Sequence, residues 1–98
     1  MPAKLLPPIH PGEILREEFM LPMELSSHAV ARAIGVTPAR VNDIVNERRG
    51  ITADTALRFG RFFGTTPDVW INLQKRFELE TARRELGSTL AHIHPHAA

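Results

Sequence analysis

SSHAVARAIGVTPARVNDIVNERRG, residues 26–50, reads as two short helices joined by a tight turn at Gly35. Val30 and Ile34 lie four apart and so share one helical face. Thr37 has the hydroxyl of an N-cap, able to accept from an early helical N–H. Pro38 suits the first helical position, where its missing donor costs nothing. The next helix repeats its apolar residues as Val41, Ile44 and Val45, again on one face. Arg40, Asn42, Asp43 and Asn46 lie opposite, and Arg48 and Arg49 follow just beyond. A helix with an apolar underside and a polar top, set after a glycine turn, is the pattern of a helix-turn-helix. In that motif the second helix enters the major groove of DNA.

Gly35 is the sharpest part of the signal, because a turn between two steeply crossed helices often needs positive φ, which costs glycine little. A plain helix hairpin in an all-α protein needs the same glycine and the same caps. It does not need a polar set near the helix start or paired arginines at its exit. Pattern alone leaves both readings open, with those polar residues favouring DNA.

Ninety-eight residues make one domain, or one domain with a tail. A chain this short buries a modest core, so a partner subunit would help it. Cysteine is absent, which excludes a disulfide frame, thiolate metal sites and a cysteine nucleophile. The opening MPAKLLPPIHP is too broken by prolines for a signal sequence, and no apolar run approaches the roughly 20 residues that span a bilayer. A cytoplasmic protein without membrane contact is the expectation. The net charge of +1 says little as a sum, but its distribution is uneven. Residues 13–24 carry a local −3 and residues 26–50 a local +2, the asymmetry of a phosphate-facing segment.

Residues 1–10 hold three of the eight prolines and read as an extended arm, either a frayed terminus or a segment that docks on a partner through Leu5, Leu6 and Ile9. A first helix is expected over 11–20, with Ile14, Leu15 and Phe19 inward and Glu13 near its positive end. Glu13, Glu17 and Glu18 have no His or Asp at ligand spacing and read as a solvated face rather than a metal or acid–base site. Pro22 ends this helix. The second helix, 27–34, places Ser27 and His28 where a phosphate could meet a helix N-terminus. The third runs over 38–46 and the fourth over 53–63, where Leu57, Phe59, Phe62 and Phe63 read as core filling. Gly64 stops the fourth. Thr65-Thr66-Pro67-Asp68 then starts a fifth, 67–86, with Val69, Trp70, Leu73, Phe77 and Leu79 along its apolar side. Its charged second half is either a solvated face or a surface for a second copy. Residues 87–98, with His92, His94 and His96, read as a flexible tail.

From Pro8 to about Arg83, four-fifths of the chain, the sequence resembles the HigA family of antitoxins. PIHPGEILREEFM, LSSHAVARAIGV, TPARVNDIVNERRGITADTALR and FFGTTPDVWINLQ carry the resemblance. It implies an all-α, five-helix, phage-repressor-like domain of the XRE class, acting as a homodimer on double-stranded operator DNA. It also implies a RelE-like (HigB-type) toxin partner, an mRNA endonuclease that the antitoxin neutralises. By position, base reading falls on Thr37, Pro38, Ala39, Asn42 and Asp43, while Arg40, Asn46, Arg48 and Arg49 match places that touch phosphates or flank bases. Ser27 stands where related repressors often carry a glutamine on a phosphate. Pro38 and Ala39 offer only apolar contact, so direct readout is expected from Arg40, Asn42 and Asp43, with DNA shape sharing the work.

Three functional classes follow: an antitoxin that represses its own operon, a stand-alone XRE-type regulator, and an enzyme or scaffold. The last is weakest, since no nucleophile–base pair, metal set or cofactor motif is visible. For toxin contact, Leu5, Leu6 and Ile9 with Glu13, Glu17 and Glu18 suit a basic RNA-cleaving partner.

Overall fold

The computed structural model describes residues 6–97. Its elements are all helical, and among the described residues there is no strand. The first helix, α1, opens as an α-helix over Pro11–Ile14 and continues as a π-helix over Leu15–Met20. Then come α2 (Ser27–Ile34), α3 (Pro38–Val45), α4 (Ala53–Phe63) and α5 (Pro67–Leu86). Side-chain caps start three of these: Ser26 Oγ accepts from Ala29 N–H, Thr37 Oγ1 from Arg40 N–H and Thr52 Oγ1 from Thr55 N–H. Left-handed glycines end α2 and α4, at Gly35 (φ 76°) and Gly64 (φ 74°).

The π-helical half of α1 was not expected. Its i→i+5 bonding, with Leu21 N–H donating to Arg16 C=O, turns Leu15 and Met20 onto the same buried side, although they lie five apart. Phe19, between them, reaches the aromatic centre. There Trp70 is fully buried, with ring centroids 5.1 Å from Phe19, 4.9 Å from Phe59 and 6.0 Å from Phe63. Its indole Nε1–H donates to Thr65 Oγ1 at 2.9 Å, so the one polar atom of the ring is satisfied. Leu15, Val30, Val41, Ile44 and Ala56 complete the core beneath the helix-turn-helix.

Gly12 decides how α1 meets α3. A Cβ there would stand 1.8 Å from the Ile44 carbonyl oxygen, so only glycine lets the two backbones cross. Four apolar residues expected to face inward do not. On α4 the buried stripe is Thr55, Ala56, Phe59 and Gly60. The small Ala56 and Gly60 lie on that inner side, and Leu57 is left 60% exposed with Phe62 also outside. Along α5 only Trp70 is buried; Val69 is exposed, and Leu79 lies in the half of the helix that projects beyond the core. After α5, Gly87–His92 form an exposed 3-10 helix.

Pro7 to Ile9 run without regular structure beside α5, lining a groove with Ile14, Leu73 and Phe77. Leu6 and Ile9 are exposed, whereas Leu5 lies outside the described residues. The arm ends in His10, which is buried. Its Nδ1 accepts the Gly12 N–H at 2.9 Å, and its ring packs edge-on against Phe77, centroids 4.8 Å apart. Burial pushes its pKa below the ordinary 6.5, only partly offset by the negative charge of Glu47. The unfolded chain therefore takes up this proton before the folded one does. Stability from this site is complete above about pH 6.5 and is lost as pH falls through the lower folded value. Urea midpoints measured across this range should drop on acidification. In His10→Asn, whose side chain can cap without titrating, that part of the slope should vanish.

Candidate nucleic-acid interface

The exposed side of the helix-turn-helix is built by its caps. Thr37 and Pro38 fix the start of α3, and Val41 and Ile44 are fully buried, which turns Ala39, Asn42 and Asn46 outward. Thr37, Pro38, Arg48 and Arg49 are exposed as well. Ser27 and His28 stand at the start of α2, half-buried and exposed respectively. Most of the residues singled out by sequence thus lie on the open surface of the motif.

Four of them, Arg40, Asp43, Arg48 and Arg49, are already engaged in ion pairs. Arg40 does not stand free: its Nη2 donates to Asp54 Oδ1 (2.9 Å) and to the buried Thr55 Oγ1 (2.7 Å), which ties α3 to α4. Asp54 also receives Arg58 Nε at 2.7 Å, and hydrogen bonds from Arg58 and then Arg40 hold its carboxyl below the usual range. Asp43 is half-buried between two arginines, with Oδ1 3.2 Å from Arg48 Nη2 and Oδ2 3.8 Å from Arg49 Nη2. Neither Arg40 nor Asp43 therefore stands as a free side chain. Asn42 is the exposed polar residue left at the middle of α3.

Sequence reasoning missed the residues that hold this face in place. Arg58 Nη1 donates to the Ile34 carbonyl at 2.7 Å and so closes the C-terminal end of α2. Arg16 Nη1 donates to the Val45 carbonyl at 2.7 Å and does the same for α3. In both, a cation meets the negative end of a helix, where it is favoured. Gln74 Oε1 accepts the Ile51 N–H at 2.7 Å and fixes the α3–α4 loop on α5. These partners are 24, 29 and 23 residues apart in sequence, beyond any local pattern.

Arg40→Ala should therefore act first on stability. It leaves the buried Thr55 hydroxyl with one partner fewer and should cost about 1–2 kcal/mol in chemical denaturation. Its effect on DNA affinity should be smaller than that of Arg49→Ala.

The fold and its exposed helix define a helix-turn-helix protein of the XRE type. A helix-turn-helix family model matches residues 15–70. A Pseudomonas aeruginosa antitoxin HigA, solved with the higBA promoter, is 48% identical and superposes with a TM-score of 0.88, over 92% of this chain and 99% of its own. Antitoxin GraA, solved in complex with its operator, is 44% identical with a TM-score of 0.87, over 100% of both chains. Virulence-associated protein I of Dichelobacter nodosus is 55% identical over 82% of this chain and 74% of its own length. The chain belongs to the HigA family of helix-turn-helix antitoxins. Among the described residues no helix is long and apolar enough to cross a membrane.

Proposed function

We propose that this protein is a sequence-specific operator-binding antitoxin that represses its own operon and neutralises a RelE-like mRNA endonuclease. The observation that supports it most is the exposed face of α3, standing on a fully buried Val41–Ile44 underside within a fold that superposes on HigA and GraA along nearly the whole chain. In this reading α3 enters the major groove. Asn42 reads a base edge, Thr37, Pro38 and Ala39 approach the groove floor, and Arg48 and Arg49 meet phosphates at the helix exit. Ser27, Asn46 and the start of α2 flank the backbone.

One such domain covers half a site, so the operator is met by a symmetric dimer. The projecting half of α5 suits the pairing. Leu79 and Leu86 are exposed on it, as are Leu90 of the 3-10 helix and Ile93 just after it, and basic and acidic side chains are interspersed along α5. Toxin contact is assigned to the arm and α1 rather than to the exposed face of α3. Leu6 and Ile9 are exposed on the arm, Glu17 and Glu18 are exposed on α1, and Glu13 is half-buried beside them. Leu5, assigned to toxin contact by sequence, lies outside the described residues.

Co-expression with a RelE-like toxin encoded beside the gene tests this division. Glu17→Lys combined with Glu18→Lys should weaken toxin capture, most visibly at low salt, while operator binding survives. Loss of operator binding with toxin capture intact would assign the toxin to another surface. A protein that binds its operator but protects against no neighbouring toxin would be a stand-alone regulator.

A further inference from the structure

The exit of α3 is closed by a turn with an unusual residue at its centre. Arg48 N–H donates to the Asp43 carbonyl at 2.7 Å, and Glu47 N–H to that of Ile44 at 3.0 Å. This closure needs a left-handed residue, and Glu47 supplies it with φ 62°, a conformation usually left to glycine. The turn folds the chain back on the helix and brings Arg48 and Arg49 to the two oxygens of Asp43, one arginine to each. Glu47 does not compete for them; its carboxylate faces Arg16, at 3.9 Å.

A carboxylate on a helix that meets a polyanion needs a reason. We propose that Asp43 is a specificity-determining residue, one that holds Arg48 and Arg49 off phosphates unless a base edge takes over its carboxylate. The inference rests on α3 being the DNA-reading helix. On an arbitrary duplex the arginines reach phosphates only by leaving Asp43, and its bare charge is then set among phosphates, a repulsion added to a lost ion pair. On the right sequence an exocyclic amino group, cytosine N4 above all, donates to the freed carboxylate and offsets that cost. Discrimination arises largely from weakened binding to wrong sequences.

Asp43→Asn keeps the shape and removes the charge. Titrations of an operator duplex and a scrambled duplex of equal length, each at several salt concentrations, read the effect. Affinity for the scrambled duplex should rise several-fold, and its logarithmic salt slope should steepen by about 1 to 2, the signature of two arginines released to phosphates. Operator affinity should not rise in step, so the ratio of the two should narrow by roughly 10-fold. Asp43→Glu, which retains the charge, should keep scrambled-duplex affinity low. The proposal is overturned if Asp43→Asn lowers operator affinity and leaves the scrambled duplex and its slope unchanged, since Asp43 would then be a simple base contact. It is equally overturned if neither duplex responds. If the wild-type protein fails to prefer the operator at all, the DNA-reading role of α3 falls first, and that outcome is visible before any variant is made.

Discussion

Trp70→Ala is expected to remove most of the domain's stability. The ring is fully buried, meets three phenylalanines and spends its only polar hydrogen on Thr65. Truncating a buried aromatic of this kind costs about 3–5 kcal/mol. A domain of this length has on the order of 5–15 kcal/mol in total. The elements that lean on this residue are α1 through Phe19, α4 through Phe59 and the start of α5, so the loss is global rather than local. Because Trp70 is the only tryptophan, far-UV circular dichroism rather than fluorescence should follow urea unfolding. Trp70→Phe should lose much less, keeping most of the contact area and forfeiting the hydrogen bond to Thr65. A Trp70→Ala protein with an unshifted midpoint would mean that the aromatic cluster is not the centre of the fold.

The largest functional effect should come from Arg48→Ala combined with Arg49→Ala. Both side chains are exposed, and neither is needed by the core. The double variant should keep its unfolding midpoint within about 0.5 kcal/mol of wild type, as surface changes do. It should nevertheless bind its operator roughly 10- to 100-fold more weakly, since two charge-assisted contacts to phosphate are gone. The salt dependence of operator binding should flatten by about 2 units of logarithmic slope. The scrambled duplex should lose less, because there Asp43 already holds both arginines off the phosphates. Equal weakening of the two duplexes would mean that Asp43 does not restrain these arginines.

How far the sequence alone reaches is clearest at the helix ends. Ser26, Thr37 and Thr52 each cap the helix that follows, and Gly35 and Gly64 adopt the left-handed turns that end α2 and α4. These are local devices, acting within four residues, so local pattern finds them. The π-helical half of α1 was not legible: Leu15 and Met20 share a side only once the bonding widens to i→i+5. Leu57 and Phe62 were misplaced for a different reason. Their hydrophobicity says core, but Thr55, Ala56, Phe59 and Gly60 take the inward side of α4, which leaves no inner place for them.

At the candidate interface the exposure of the helix-turn-helix residues is legible in the sequence, and their ion pairs are not. Asn42, Asn46, Arg48 and Arg49 are exposed on one motif, as helical spacing requires. Nothing in that spacing shows Arg40 turned to Asp54 and Thr55, or Arg58 and Arg16 closing the ends of α2 and α3. Asp43 lies between these cases. Its partners are five and six residues away, near enough to suspect, but they are brought together only by the left-handed turn at Glu47. A glutamate at positive φ has no sequence signature comparable to that of glycine.

As proposed, α3 reads duplex DNA as one half of a symmetric pair. Hydroxyl-radical footprinting of the promoter upstream of the gene, with wild-type protein and with Asn42→Ala, tests it most directly. Two protected patches should appear on one face of the duplex, one helical turn of roughly 10 bp apart or a multiple of it. Asn42→Ala should keep the spacing and blur the boundary between operator and flanking DNA, as expected when a base contact is lost and phosphate contacts remain. A single patch, protection without any preferred site, or a footprint that Asn42→Ala leaves unchanged in both strength and position would contradict it.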